Sequence, residues 1–215
     1  MEAGRGCGEQ KNEGKDMSEQ ERRAGSAQRI TLETDIRLVL SLDGTGKTAI
    51  DSDVPFLDHM LTLFGVHGFF DFTLKGKGDV QVDDHHTVED TGICLGKAFK
   101  EALGDFEGIA RYGECCLPMD ETLVRIVVDI SNRPFLHYNV SVPDSRVGTF
   151  DTALAKEFLR AFVLHAGITL HADLLHGENS HHIIEAVFKG LGRAMRQAVQ
   201  EDVRVSGALS SKGCL

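Results

Sequence analysis

The motif His-His-x-x-Glu occurs twice, as His85, His86 and Glu89 in HHTVED and as His181, His182 and Glu185 in HHIIEA. Setting His85 over His181 aligns more than the motif: Leu95 meets Leu191, Gly96 meets Gly192, Ala98 meets Ala194 and Ala102 meets Ala198. Lys97 and Lys100 fall on Arg193 and Arg196. Upstream, His59 falls on Glu157 and His67 on His165, and the segments between differ by only two residues. Self-similarity at a fixed period means one structural unit used twice. The chain is therefore expected to form an internally duplicated α+β domain, with halves at 28–106 and 107–215 packed about a pseudo-twofold axis.

Hydrophobic periodicity sketches the unit. RITLETDIRLVL puts Ile30, Leu32, Ile36, Leu38 and Leu40 on one parity, which predicts a half-buried strand. LDGTGK supplies hairpin turn residues before a returning strand at 47–52. A helix follows, with Pro55 in its first turn and Gly65 and Gly68 towards its end. FFDFTLKGKGDVQV reads as a strand, and a helix capped by Asp84 runs from His85 to about Leu103. The second half follows suit, with strand-like runs in RYGECCLPMDETLVRIVVDI and RPFLHYNVSV and a helix capped by Asp151 or Thr152. The strand ITLHADLL and a long helix capped by Asn179 or Ser180 complete it. Each half reads strand, strand, helix, strand, helix, with the helices expected to bundle between sheets.

Composition narrows the functional classes. The chain has 215 residues, 41% hydrophobic and 26% charged, as in a soluble globular protein. Residues 1–27 are nearly devoid of apolar side chains and are expected to form a disordered tail. No apolar run reaches the roughly 18 residues a membrane span needs. The N-terminus lacks a signal-peptide core and is too acidic for an organellar transit peptide. A cytoplasmic protein is expected. Five cysteines without C-x-x-C spacing fit reduced thiols. A net charge of −10 without a basic run argues against nucleic acid, while an anionic small molecule remains compatible if a few cations converge. DGTGKT resembles the end of a P-loop, but Ser41 stands where the first glycine is required.

The repeated residues carry the chemistry. Adjacent histidines at a helix start point about 100° apart, so each of a pair can serve a different ion. Glu89 lies four residues after His85 and three after His86, within reach of either site. Imidazole and carboxylate without thiolate suit Mn, Fe or Zn. One isolated His-His pair is more often merely solvated, but duplication, with His59 and Glu157 as matching upstream donors, points to two metals. His67, His137, His165, His171 and His176 have no such company, so core or surface roles are expected of them.

RITLETDI, PFLDHML, DDHHTVEDTGICLG, IARYGE, PMDE, RPFL, GITLH, GENSHHIIEAVFKGLGRA and SSKG together resemble the imidazoleglycerol-phosphate dehydratase family from Arg29 to the C-terminus. The resemblance implies a metal-dependent dehydration of imidazole glycerol phosphate to imidazole acetol phosphate in histidine biosynthesis. It implies two Mn2+ ions per active site and a large octahedral homo-oligomer with active sites at subunit contacts. The implied metal ligands are His59, His85, His86, Glu89, Glu157, His181, His182 and Glu185; many members have histidine where this chain has Glu157. The implied substrate and phosphate contacts are Arg111, Arg133, Lys189, Ser210 and Lys212, with Glu33 near the reacting carbons. Glu33 and Glu185 are the acid–base candidates, and His85 and His181 count with the catalytic groups. A dinuclear metal hydrolase and a metal-storage oligomer are the competing readings; the first would consume water where a dehydratase releases it.

Overall fold

The computed structural model describes residues 23–215. Residues 1–22, most of the expected tail, lie outside the described residues. The first sheet holds β1 (Ala24–Ile30), β2 (Thr34–Ser41), β3 (Thr48–Asp51) and β4 (Asp71–Gly78), in the order β1-β2-β4-β3. Its helices are α1 (Pro55–Gly68) and α2 (His85–Leu103). The second sheet repeats this order with β5 (Tyr112–Met119), β6 (Thr122–Asp129), β10 (Thr169–His176) and β7 (Phe135–Asn139). Its helices are α3 (Leu154–Ala166) and α4 (Ser180–Val199), and a small ribbon of β8 (Arg146–Val147) and β9 (Phe150–Asp151) precedes α3. The duplication read from the sequence is present, with three strands of each four-stranded sheet before the first helix of its half.

Three expectations change. The strand foreseen across 29–40 is two strands: Thr31 Oγ1 accepts from the backbone N–H groups of Glu33 and Thr34, closing a turn that ends β1. Ile30 and Leu32 are consequently exposed, whereas Ile36, Leu38 and Leu40 are core. The stretch LDGTGK is not a hairpin turn, because β4 lies between β2 and β3 and pairs with β3 in parallel. Ordered chain also begins earlier than the tail boundary allowed. Residues 24–27 pair with 38–41 of β2, and the Arg23 guanidinium clasps Asp43 with Nε at 3.0 Å and Nη2 at 2.6 Å. Backbone ladder bonds need no large apolar side chain, so a strand that starts Ala-Gly-Ser-Ala leaves no hydropathy pattern.

Deleting residues 1–22 is expected to leave the melting temperature unchanged. Deleting 1–27 should lower it, because the Arg23 bonds and half of β1 go with it. Each kcal/mol lost should appear as a drop of about 2–4 °C for a chain of this size. Equal melting temperatures for the two truncations would refute this.

The helices exchange partners between halves. α1 packs against α4 and α2 against α3. Glycines permit the approach: a Cβ on Gly96 would lie 2.7 Å from the Phe162 carbonyl oxygen, and one on Gly192 would lie 2.5 Å from that of Phe64. Phe64 and Phe162 are repeat mates, and their ring centroids are 6.3 Å apart. The pseudo-twofold axis therefore passes between them, within an aromatic core that includes Phe70, Phe99 and Phe158. His59 lies beside His181, and Phe64 beside Gly192 further along, so α1 and α4 run parallel with their N-terminal halves together.

Candidate functional site

The parallel pairing of α1 and α4 builds a cluster from two distant segments. The start of α1 is fixed by Pro55 and by the Asp58 carboxylate, which accepts from the Ser52 hydroxyl at 2.5 Å and the Ser52 N–H at 3.0 Å. Burial pushes the Asp58 carboxyl up, against the pull of those two bonds. The start of α4 is fixed by Asn179, whose Oδ1 accepts from the backbone of His181 at 2.9 Å and of His182 at 3.3 Å. These caps set the rotation of each helix, and with it the direction of the first-turn imidazoles.

His59, His181 and Glu185 meet there, with one candidate ligand atom from each all within 4.8 Å of one another. His181 Nε2 is 3.0 Å and His59 Nε2 3.8 Å from Glu185 Oε2. Glu185 is only 7% exposed. Burial works against its charge, but the Lys189 ammonium at 2.5 Å, His181 and His59 together hold its carboxyl below the ordinary range. Two imidazoles and an ionised carboxylate converging on one point form a donor set that fits a borderline-hard divalent cation.

The mirror arrangement is looser. His85 and Glu157 line one cavity of about 630 Å3 between the start of α2 and the start of α3, with Asp83, Arg146 and Asp151. Glu89 sits one turn further along α2, half-buried. Glu157 is turned onto Arg160 in an ion pair. The expected cap of α2 also shifts by one: Asp84 occupies the cap position, but Asp83 supplies the side-chain oxygen, accepting from His85 N–H at 2.9 Å.

The second histidine of each motif turns away from these clusters. His86 Nδ1 lies 3.1 Å from Asp79 and 3.8 Å from Glu33. His182 Nδ1 lies 2.8 Å from Glu121. Each imidazole is held above its ordinary pKa, chiefly by its hydrogen bond to Asp79 or Glu121, and His182 in turn holds Glu121 well below the carboxylate range.

A second cavity, of about 910 Å3, gathers Arg111, Arg133, Ser210 and Lys212. Arg111 is buried, pairing with Asp129 at 2.7 and 3.1 Å and donating to the Leu209 carbonyl at 2.6 Å. The C-terminal segment reaches it by pairing with the connection between halves, through bridges Glu107 to Ala208 and Ile109 to Glu201. A cationic cavity of this kind suits phosphate. It lies at the Asp129 end of β6, whereas Glu121 and His182 lie at the Thr122 end. At about 3.3 Å per residue the eight residues of β6 separate the two by roughly 23 Å.

A sequence profile of the family described as imidazoleglycerol-phosphate dehydratase matches residues 52–195. The imidazoleglycerol-phosphate dehydratase of Desulfotalea psychrophila is 59% identical over 193 residues, covering 90% of this chain and 96% of that one. The chain belongs to the imidazoleglycerol-phosphate dehydratase family. Members are hydro-lyases of histidine biosynthesis, and the family is metal-dependent, consistent with the His59, His181 and Glu185 donor set. The enzyme of that name from Pelobacter propionicus is 58% identical over 90% of this chain and 99% of that one. The crystal structure of the dehydratase from Staphylococcus aureus superposes with a TM-score of 0.76 at 42% identity, covering 83% of this chain and 99% of that one. That of the Pyrococcus furiosus enzyme in complex with (S)-C348 gives 0.77 at 40% identity, covering 88% and 100%.

Within this member of the dehydratase family, the fold brings together His59, His181 and Glu185, and separately Arg111, Arg133, Ser210 and Lys212. Lys189 is not with the latter group: it stands one turn beyond Glu185 on α4, bonded to that carboxylate and 3.5 Å from Met119 Sδ. Glu33 stands at the turn before β2, beside His86 and half exposed. Sequence reasoning missed Glu121 and Asp79. The repeat contained the signal for the first, since Glu33–Thr34 and Glu121–Thr122 are equivalent Glu-Thr pairs at the start of β2 and β6.

Proposed function

We propose that the chain is a Mn2+-dependent dehydratase that converts D-erythro-imidazole glycerol phosphate to imidazole acetol phosphate and water. It acts in the cytoplasm as a large octahedral homo-oligomer with two Mn2+ ions in each active site. The observation that carries the shared site is the separation of the His/Glu cluster from the cationic cavity. His182, next to that cluster at the start of α4, stands with Glu121 roughly 23 Å from the cavity at the strand rise of about 3.3 Å per residue, too far for one small phosphorylated substrate. An active site containing both must draw them from different subunits. The orientation of His86 and His182 supports the same reading, because each directs its ring away from its own chain's cluster.

In this reading His59, His181 and Glu185 hold one ion and His85, Glu89 and Glu157 the other, each completed by His86 or His182 of another copy. A Mn2+ ion on these donors would supply Lewis-acid chemistry to the substrate's imidazole ring. The protein's own groups do the rest. Arg111, Arg133, Ser210 and Lys212 bind the phosphate and fix the glycerol chain. Glu33, half exposed at its turn, would be the base that takes a proton from the carbon next to the one bearing the departing hydroxyl. Glu185, ionised beside Lys189, is the second carboxylate, and Lys189 is the nearest ammonium to that end of the substrate. Loss of the proton from one carbon and the hydroxyl from its neighbour gives an enol and water, and the enol becomes the ketone.

Chelation is the test. Metal-free protein should lose turnover and fall to smaller oligomers, because a ligand binding only the assembled state stabilises only that state. Added Mn2+ should restore both. Full turnover after elemental analysis shows no metal would overturn the metal reading, and a particle of unchanged mass would overturn the shared site.

A further inference from the structure

The two outward histidines face carboxylates that are not repeat mates. In the first half the partner of His86 is Asp79, just beyond β4, and Glu33 stands off at 3.8 Å. In the second half the partner of His182 is Glu121, the equivalent of Glu33. A β-bulge accounts for the exchange. Thr34 pairs with Gly78, and the corresponding register in the second sheet shifts between Leu174 and His176. One extra residue is thereby inserted, and Gly177 takes the place of Gly78. The contacts agree: a Cβ on Gly78 would meet Thr87 and Thr34, and one on Gly177 would meet their mates Ile183 and Thr122. Glu178 is therefore the counterpart of Asp79. It is exposed, and its backbone N–H donates to Glu121 at 3.3 Å. Bulges re-aim side chains in this way.

Glu121 is held where Glu33 is loose. Its Oε1 also accepts from Asn179 N–H at 2.9 Å and from the Thr122 hydroxyl at 2.9 Å, while Oε2 faces His182 Nδ1. An ionised carboxylate only accepts, so the proton of His182 sits on Nδ1 and the lone pair on Nε2. We infer that Glu121 is a positioning residue that fixes the tautomer and direction of His182, and that Asp79 does the same for His86, which leaves Glu33 free for chemistry. The inference rests on the proposal that His86 and His182 ligate metal in a neighbouring copy. Carboxylates behind a ligating histidine typically contribute 10–100-fold to metal affinity.

The experiment measures Mn2+ affinity of the full chain from the free-ion electron paramagnetic resonance signal. Glu121→Gln keeps the size and an acceptor for Asn179 and Thr122, but its amide N–H group donates to Nδ1 and drives the proton to Nε2. Affinity should fall by about 10–100-fold with the unfolding temperature of metal-free protein unchanged. Excess Mn2+ should restore turnover, and Glu121→Asp should recover part of the affinity. Glu114→Gln, on the exposed face of β5, should match wild type. Should Glu121→Gln fail to fold, Asp79→Asn decides, since His86 is the side-chain partner of Asp79 among the described residues. Wild-type affinity in whichever of the two is decisive would overturn the positioning role. His182→Ala separates the layers: if it binds Mn2+ as wild type does, the ligand proposal and this inference both fall. If it weakens binding and Glu121→Gln does not, only the positioning role falls.

Discussion

Gly192→Val is expected to give a protein that holds less metal, turns over poorly and melts well below wild type. The cause is the approach of α4 to α1. A Cβ at position 192 would meet the Phe64 carbonyl oxygen at 2.5 Å and the Gly68 nitrogen at 3.0 Å, both backbone atoms with no rotamer to yield. The helices must separate, and His59 rides on one while His181 and Glu185 ride on the other. Overpacking of this kind costs about 1–3 kcal/mol or more, a large share of the 5–15 kcal/mol or so that holds a domain folded. Gly96→Val is the internal comparison. It strains the equivalent contact of α2 with Phe162 of α3 and should melt similarly, while leaving the His59, His181 and Glu185 cluster nearer to its native geometry. Thermal unfolding with and without Mn2+, together with bound metal per chain, would check both. A Gly192→Val protein with wild-type melting and metal content would show that the interhelical contact is not what positions the cluster.

Glu157→Ala is expected to lower turnover nearly as far as His59→Ala, by roughly three orders of magnitude. A Lewis acid contributes several kcal/mol to a reaction that depends on it, and each 1.4 kcal/mol or so is tenfold in rate. The basis is the repeat, which sets Glu157 at the start of α3 where His59 stands at the start of α1. The shared cavity with His85 supports it. The ion pair with Arg160 must open for the carboxylate to reach a metal, and Arg160 is exposed enough to swing away. Glu157→His should keep much of the metal and rate, because imidazole can take the same coordination position. Glu107→Ala should be benign. Turnover and bound metal for the four variants decide the matter, and full metal content in Glu157→Ala would detach that residue from the site.

Much of this molecule can be read from its sequence because the residue identities that survive the duplication lie mainly on its helices. Helical histidines and glutamates, small residues and the Phe64–Phe162 pair recur at fixed spacing, and the motif that repeats most faithfully, His-His-x-x-Glu, is also the one whose chemistry is most specific. Strands were less legible. Residues 24–27 are Ala, Gly, Ser and Ala, too small to give a hydropathy pattern, and are held by ladder bonds. The turn at 31–33 was hidden because Ile30 and Leu32 continue the parity of β2 although both are exposed. The contact of Lys189 with Glu185 within the chain follows from an i,i+4 spacing that is present in the sequence. The pairing of His182 with Glu121 could not be read without the fold, because it depends on a one-residue bulge in β10 that leaves no signature in composition.

The exchange of helix partners between the halves bears on how such a chain could have arisen. A single half, cut at the connection near residue 107, would carry the α1 helix of one contact and none of the α4 helix that covers it. Its Gly-lined helix faces would lie bare, and its three-residue cluster would lack either the upstream histidine or the His-His-x-x-Glu helix. Two copies of that half, side by side about a true twofold axis, would satisfy every one of these needs at once. The present chain is thus organised as a symmetric dimer whose subunits have been joined end to end. Within one chain the two carboxylates at equivalent turns, Glu33 and Glu121, have different neighbours, a difference that two identical chains about a true twofold axis could not carry.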